Sequence, residues 1–554
     1  MSDLQAQTTP YVRDRMLPQA EPPLGESGVL RWLRDNLFSS WMNGILTVVS
    51  LAVVAWLLWA MFPWFANSVW RASSLDECRE ILKEHGAETG ACFGVITERW
   101  KQLLYGFYPR ELYWRANMTL LLLAVALAPV LFADWQARTR GIVALTLFVL
   151  SGLMVWGTYW GILGSGNAFV LMLIFAAASA AVYRFDLTRN FMLIFSAIYP
   201  FLLVWLVWGG TIWGPLAALG GFGVGYVGFK LFDAALGALA GIIAGVLATV
   251  IFWLVVGPNL VAILNDGVPL WMLIWLALGG WLAVLVMRHA LASQPAVLQA
   301  VAGLAIFFAW GAAVAPDLTA VFNTAILHLG TTQGWGIQAV ESRDLGGFMV
   351  SIIIGVAGIA LSLPLGVVLA LGRQSNLFIV HTLCVGFIEF IRGVPLITLL
   401  FTASLLLNYF LPPGTNFDII LRVIIMVTLF ASAYMAETIR GGLAALPKGQ
   451  YEGADSLGLD YWQAQRLVIM PQALKISIPG IVNNFIGLFK DTTLVTFIGI
   501  LDILNLTNSI RANSEWHGIY WELYIFVGLM FFITCFTMGR YSKWLEQKLH
   551  TDHR

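Results

Sequence analysis

Apolar residues fall along this chain in blocks of nearly constant length. They occupy about 43–65, 118–133, 141–158, 168–183, 191–208, 211–229, 236–257, 270–287, 296–315, 347–371, 377–411, 419–436, 474–497 and 520–538. A helix crosses the hydrocarbon layer with about 20 predominantly apolar residues. The pattern therefore predicts an all-α, polytopic transmembrane helical bundle of about 14 spans. The weakest block is 211–229, whose run Gly-Gly-Phe-Gly-Val-Gly-Tyr-Val-Gly-Phe is rich in glycine. It reads either as a span or as a re-entrant segment.

The polar stretches between blocks set the orientation. Basic residues gather in the 1–42 tail (Arg13, Arg15, Arg31, Arg34), at Arg138 and Arg140, at Arg184 and Arg189, at Lys230, at Arg288 and at Arg373. The C-terminal stretch adds Arg540, Lys543, Lys548 and Arg554. Lys and Arg concentrate on the cytoplasmic side of membranes, which puts these turns and both tails inside. Residues 1–42 are expected as a cytoplasmic tail and the first block as an uncleaved signal anchor. The charged segment at about 66–117 is then external, with a helix expected from Leu75 to His85 ending at Gly86. Asp317–Leu345 is expected as a second outside loop. In an oxidising space Cys78 and Cys92 can form a disulfide; spacing alone leaves that bond and a pair of free thiols equally open.

Composition sharpens the class. The 554 residues are 59% hydrophobic and only 11% charged, where soluble domains carry roughly 25% charged residues. The 24 Trp fit interfacial belts. A formal net charge of zero supplies no basic field for nucleic acid. Four Cys without ligand spacing and seven scattered His argue against a metal site. No Gly-x-x-x-x-Gly-Lys-Ser/Thr phosphate loop occurs, so the chain is expected not to be an enzyme and not to hydrolyse ATP itself.

The longest polar segment of the second half is Glu437–Gln472. It carries Arg440, Lys448, Arg466 and, just beyond it, Lys475, and so reads as cytoplasmic. Within it stand Glu452-Gly453-Ala454, then Gly458, then Val468-Ile469-Met470-Pro471. Tyr451–Leu457 is expected to form a short helix, and Gly458 suits its C-terminal turn.

This spacing resembles the cytoplasmic signature loop of ATP-binding-cassette importer permeases, Glu-Ala-Ala, a gap, Gly, nine residues, Ile-x-Leu-Pro. Glu452, Ala454, Gly458 and Pro471 match in register, while Gly453, Val468 and Met470 depart from it. The resemblance extends to Phe387-Ile-Glu389-Phe-Ile-Arg392-Gly393-Val394-Pro395-Leu396, to Glu437-Thr-Ile-Arg440-Gly-Gly, and to Asn484-Phe-Ile-Gly487-Leu-Phe-Lys490-Asp491-Thr492-Thr493. It covers about residues 340–545 and is similar to the polar amino acid uptake branch, most of all the larger permeases of general L-amino acid and glutamate/glutamine/aspartate/asparagine systems.

The resemblance implies a five-helix type I importer permease core at 346–545, with an ATPase-coupling loop at about 437–472, and a membrane extension at 43–345 that a minimal member would lack; 546–554 would be a cytoplasmic tail. It also implies partners: an ATPase dimer that binds ATP and Mg, an external amino-acid-binding protein, and a second permease subunit or a second copy. The setting would be membrane lipid in a bacterial inner membrane. No cofactor is expected in this chain.

Ionisable groups inside apolar blocks need another account, because a charge at the bilayer centre costs on the order of 3 kcal/mol or more. Glu389, Arg392, Asn483, Asn484, Lys490, Asp491, Thr492 and Thr493 are the candidates for a substrate pathway. A zwitterion needs donors for its carboxylate and acceptors for its ammonium group, and Asp491 suits the latter. The structural alternative is internal pairing: Glu389 with Arg392, three apart on one helix, or either of these with Lys490 or Asp491. Pro395 after Gly393 should break the second core span. The rival functional class is a stand-alone secondary transporter or channel, and a third reading makes residues 118–315 a protein-binding scaffold.

Overall fold

The computed structural model describes residues 28–131 apart from 88, then 189–289, 296–325, 331–406 and 418–550, with scattered positions between 141 and 180. The expected spans 141–158 and 168–183 fall almost wholly outside the described residues, as do 1–27 and 551–554. The chain divides into two compact units, residues 1–98 with 514–522 and residues 99–513 with 523–554.

The first unit holds α1 (Gly28–Asn36), α2 (Trp41–Ala66) and α3 (Leu75–Glu84). Ser40 caps α2, and no residue of this 26-residue apolar helix is buried. Its stability in water would be poor; a lipid phase supplies the apolar contact. Ser74 caps α3, Asp76 and Glu77 sit in its first turn, and His85 with Gly86 (φ 68°) ends it. The caps and first-turn acids complement the helix dipole. Cys78 and Leu82, four apart on one face, are the buried residues of α3. Cys78 is bonded to Cys92, with Cα atoms 6.1 Å apart. The returning segment closes the unit: Trp516 is wholly buried, its indole N–H donates to Glu98 at 3.3 Å, and Glu522 accepts from the Cys92 N–H at 2.8 Å.

The second unit begins within α4 (Gly94–Tyr105) and continues as α5 (Tyr113–Leu131), α6 (Arg189–Trp208), α7 (Trp213–Leu236), α8 (Ala238–Ile251), α9 (Gly257–Gly267), α10 (Leu270–His289), α11 (Ala296–Ala313) and α12 (Ala315–Ala325). The glycine-rich block is thus one continuous helix, α7, long and apolar enough to cross a membrane. The stretch expected as an outside loop from Asp317 begins instead as helix, through Ala325. A two-residue antiparallel pairing joins Gly210 to Ile337 and Thr211 to Gly336.

The C-terminal part contains α13 (Gly347–Arg373), α14 (Phe378–Gly393), α15 (Leu396–Phe401), α16 (Ile419–Ala444), α17 (Lys448–Ser456), α18 (Tyr461–Ala464), α19 (Met470–Asp491), α20 (Ile503–Ala512) and α21 (Trp521–His550). Among the described residues eight helices are long and apolar enough to span, or nine with the broken pair α14/α15; the count of about 14 is not reached on these. That pair bends by 102° at Val394–Pro395, where proline cannot continue the hydrogen-bond ladder.

Side-chain packing fixes the register of this bundle. Gly358 lies against Val427, and Gly366 against Met435 and Ala436, so α13 and α16 run parallel. Gly442 meets Ala473 and Ser477, Gly480 meets Thr438, and Gly355 meets Phe489, so α19 runs antiparallel to both. A Cβ on Gly442 would collide with Ser477 Oγ and the Ala473 carbonyl. The main apolar core joins Met349, Val350, Ile353, Ile354 and Ala357 of α13 to Ile420, Val423, Ile424 and Val427 of α16 and to Leu488 and Val495. Leu112, Ala116 and Leu122 from the α5 region and Leu203, Leu206 and Val207 of α6 belong to the same core.

Candidate functional site

The segment after α16 is built as a presented helix. The helix of the 419–436 block does not stop at Ala436 but runs on to Ala444. Pro447 then starts α17, its fixed φ suiting a first turn. The helix spans Lys448–Ser456, beginning three residues before the expected Tyr451. Its end is a Schellman motif: the Gly458 N–H donates to the Asp455 carbonyl at 2.9 Å and the Leu459 N–H to the Ala454 carbonyl at 3.3 Å. Gly458 has φ +70°, the left-handed region that a side chain disfavours. Ala454 is buried, while Glu452 is exposed and Leu457 is 77% exposed.

Beyond the turn, Asp460 and Gln463 form a capping box. The helix then passes through a π turn at Gln465–Ile469 before α19. Pro471 stands just beyond this turn, after Met470. Its missing N–H and its ring clash with the usual i−4 carbonyl make the wider turn the local solution. The amide of Gln472 donates to Gln450 Oε1 at 2.8 Å and to the Val468 carbonyl at 3.0 Å, tying α17 to α19. Sequence spacing gave no sign that Gln450 and Gln472 would meet. Tyr461, Trp462 and Leu467 are exposed on the same segment.

A charged cluster lies beside this element. Glu437 on α16 accepts from Arg440 Nε at 3.0 Å on Oε1, while its Oε2 lies 3.2 Å from Arg373 and 3.8 Å from Arg392. Arg373 also meets Glu389 at 2.8 Å. The Arg392 guanidinium sits over the Tyr434 ring, 5.6 Å from its centroid, a cation–π arrangement. The expected Glu389–Arg392 pair on α14 therefore does not form; each residue turns to a different helix. Three arginines and two glutamates from α13, α14 and α16 make one network. Arg373 was legible only as a charge at the end of an apolar block, and Glu437 and Arg440 as part of the resembling run Glu437-Thr-Ile-Arg440 but not as a site.

Of the other pathway candidates, Asn484 lies beside this cluster, and Lys490 to Thr493 lie farther along, at the end of α19. Asn484 donates to Thr438 Oγ1 at 2.8 Å and so joins α19 to α16. Thr492 is wholly buried and its hydroxyl donates to the Phe489 carbonyl at 2.7 Å; the Thr493 hydroxyl donates to the Lys490 carbonyl at 2.8 Å. Asn483 and Lys490 are exposed, and Asp491 is half-buried at the end of α19. Pairing of Lys490 or Asp491 with Glu389 or Arg392 is excluded by the register. Phe489 packs at Gly355, whereas Glu437 follows Met435, which packs at Gly366. At 1.5 Å per residue the two levels of α13 are about 17 Å apart. Glu389, Arg392 and Asn484 therefore lie at the Glu437 level, while Lys490, Asp491, Thr492 and Thr493 lie at the far end of α19. Among the described residues no cluster of His, Cys, Asp and Glu can hold a metal ion.

Residues 362–551 match the family described as the binding-protein-dependent transport system inner membrane component. The chain is 44% identical over 549 residues, 99% of each chain, to the glutamate/glutamine/aspartate/asparagine transport system permease protein BztC of Rhodobacter capsulatus. It is 31% identical over 530 residues, 95% of this chain and 94% of the other, to the inner membrane amino-acid ABC transporter permease protein YhdY of Escherichia coli K12. A crystal structure of an amino acid ABC transporter with histidines aligns with 36% of this chain and 91% of its own at 29% identity, with a TM-score of 0.33. With its apolar helices, broken second core span and presented α17, the chain belongs to the family of inner-membrane permease components of binding-protein-dependent transport systems.

Proposed function

We propose that this chain is the permease subunit of an ATP-driven amino acid importer in a bacterial inner membrane, carrying polar or general L-amino acids inward by alternating access. The observation that carries the reading is α17. It is held on one side through Ala454 and the Gln450–Gln472 hydrogen bond, and it presents Glu452 and Leu457 outward. Arg373, Arg440, Lys448, Arg466 and Lys475 lie at this end of α13 and α16 or in the segment that follows, and that excess of positive charge marks the end as cytoplasmic. A partner ATPase dimer, binding ATP with Mg, docks on the 437–472 segment, and its closure moves α17 and through it α19 and α16. An external binding protein delivers the amino acid, and a second permease subunit or copy completes the pathway. The two permeases above that are named for amino acid transport support the substrate class.

Replacing Gly458 tests the docking role. In Gly458→Val a β-branched residue at φ +70° costs on the order of 1–3 kcal/mol and unseats the end of α17. The chain should still accumulate in the membrane, but lose co-purifying ATPase or uncouple ATP hydrolysis from uptake. Full uptake with normal coupling would refute the assignment.

A further inference from the structure

The opposite end of the permease body carries an acid that the transport reading leaves unused. Asp502 is wholly buried. It caps α20, with Oδ1 accepting from the Asn505 N–H at 3.0 Å and from the Thr496 hydroxyl. Oδ2 is buried and meets no donor among the described residues. The same residue is stitched to the start of α13. Gly347 pairs with Asp502 in a parallel bridge, and the Gly347 N–H donates to the Leu501 carbonyl at 2.8 Å. Gly347 is held there at φ +66°, with the Leu103 and Leu104 carbonyls too close to admit a Cβ. One turn along, on the same face of α13, Ser351 is also wholly buried with an unpartnered Oγ.

A carboxylate buried this fully needs a cation, a complete set of donors, or a proton. No salt bridge reaches Asp502 among the described residues. From α13 it meets Gly347; from 492–498 it meets Thr496; from α20 it meets Asn505 and Leu504. None of these titrates. The charged groups on the packed elements are Glu98, Arg99 and Lys101 of α4, Asp344 before α13 and Arg373 at its far end, Lys490 and Asp491 before the 492–498 turn, and Arg511 in α20. None of them acts on the acidity of Asp502. Burial pushes its carboxyl above the usual range, opposed by the hydrogen bonds from Thr496, Asn505 and Leu504.

We propose that Asp502 is a proton-sensitive clasp: protonated, it holds the start of α13 to the segment joining α19 and α20; on losing its proton to bulk water, it loosens that junction. An acid whose folded pKa is raised contributes stability that is complete below its ordinary value. That stability is lost as pH rises through the folded value. Local opening should rise by up to about tenfold for each pH unit in that window and then level off. Acidification outside therefore tightens the junction.

Hydrogen exchange of the full chain in lipid nanodiscs tests this, following peptides over 346–351 and 499–506 from pH 4 to 8 with the intrinsic base-catalysed rate divided out. Wild type should lose protection with rising pH. Asp502→Asn, which keeps the cap and the Thr496 contact without an ionisable proton, should stay at the protected low-pH level throughout. Parallel profiles in the two proteins, or a variant more open than wild type at every pH, would overturn the clasp. If the variant does not accumulate, infrared titration of wild type labelled with isotopic aspartate decides. A protonated carboxyl band must persist above the ordinary aspartate range and fade with the loss of protection. Its absence would equally overturn the idea.

Discussion

The charged network around Glu437 makes a quantitative demand. Glu437→Gln removes one of two carboxylates from a group of three arginines, so the local formal charge goes from +1 to +2. Arg373 and Arg392 both face the lost Oε2, and only Glu389 remains, already engaged by Arg373. A fully buried ion pair that loses one partner costs about 3–5 kcal/mol, whereas an exposed pair is worth about 0–1 kcal/mol. The Glu437 side chain is 26% exposed, and its partners range from 22% to 40%. Solvent screening therefore places the expected loss between those limits, at about 2 kcal/mol. For a body of about 200 residues that lowers the melting temperature by about 4–8 °C.

The assay is thermal unfolding of the purified chain in detergent, with abundance checked separately. The sign of the charge argument is tested by a second change. Glu437→Gln with Arg392→Gln returns the cluster to +1, leaves the Arg373–Glu389 pair intact, and should recover part of the loss. Raising salt should narrow the gap between Glu437→Gln and wild type, because the groups are partly wet. A Glu437→Gln protein as stable as wild type, or a double variant no better than the single one, would refute the electrostatic reasoning.

Gly453→Ala restores the family's Glu-Ala-Ala, and a Cβ there meets nothing within 4 Å; helix propensity predicts a gain of about 1 kcal/mol with unchanged ATPase co-purification, measured by melting and pull-down. Cys78→Ser with Cys92→Ser opens a loop closed over a separation of 14 residues, a change of about 3 kcal/mol in the chain-entropy account; limited proteolysis should then cut 67–98 faster, and a cleavage rate equal to wild type would count against a stabilising bond. Asp491→Asn should lower amino acid uptake while binding-protein affinity and permease abundance hold, if the half-buried Asp491 meets the substrate ammonium; uptake equal to wild type at normal abundance rules that out.

The apolar blocks located the long apolar helices among the described residues, because length and hydropathy are local properties. The break at Pro395 was equally legible, since proline forces it without reference to any neighbour. So was the turn at Gly458, which needs only a left-handed residue. What the spacing concealed was everything set by the register between helices. Glu389 and Arg392 stand three apart and look like a pair, yet the parallel run of α13 and α16 brings Arg373 and Glu437 to them from outside α14. Lys490 and Asp491 look like partners for the same charges until Phe489 is placed against Gly355. Polar composition also hid helix: Glu437–Ala444 continues α16 because Arg440 pairs with Glu437 three residues back and because Gly442 admits α19 at close range.

The packed core also decides where the permease body begins. A boundary at 346 follows the motifs, which are dense only beyond it. The packing does not respect that line. Leu112, Ala116 and Leu122 share one apolar core with Val350, Ile354 and Val427, and polar contacts lock the junction. The Tyr108 hydroxyl donates to the Val207 carbonyl at 2.8 Å, Arg115 donates to the Gln338 carbonyl at 2.6 Å, and the Trp208 indole donates to Ser342 at 2.6 Å. Ser342 in turn donates to Asp418, which caps α16. Arg115 is almost wholly buried, so its guanidinium has exchanged water for that carbonyl and would not tolerate separation from it. Removing α5 and α6 would bare the core face of α13 and leave the cap of α16 without its Ser342 donor chain. The extension is therefore of two kinds: α5 and α6 complete the core of the permease body, whereas α7 to α12 pack mainly on one another around Trp253, Trp275 and Trp310. The motifs mark a stretch of the chain; the hydrophobic core marks what packs as one piece, and in this chain the second is the larger.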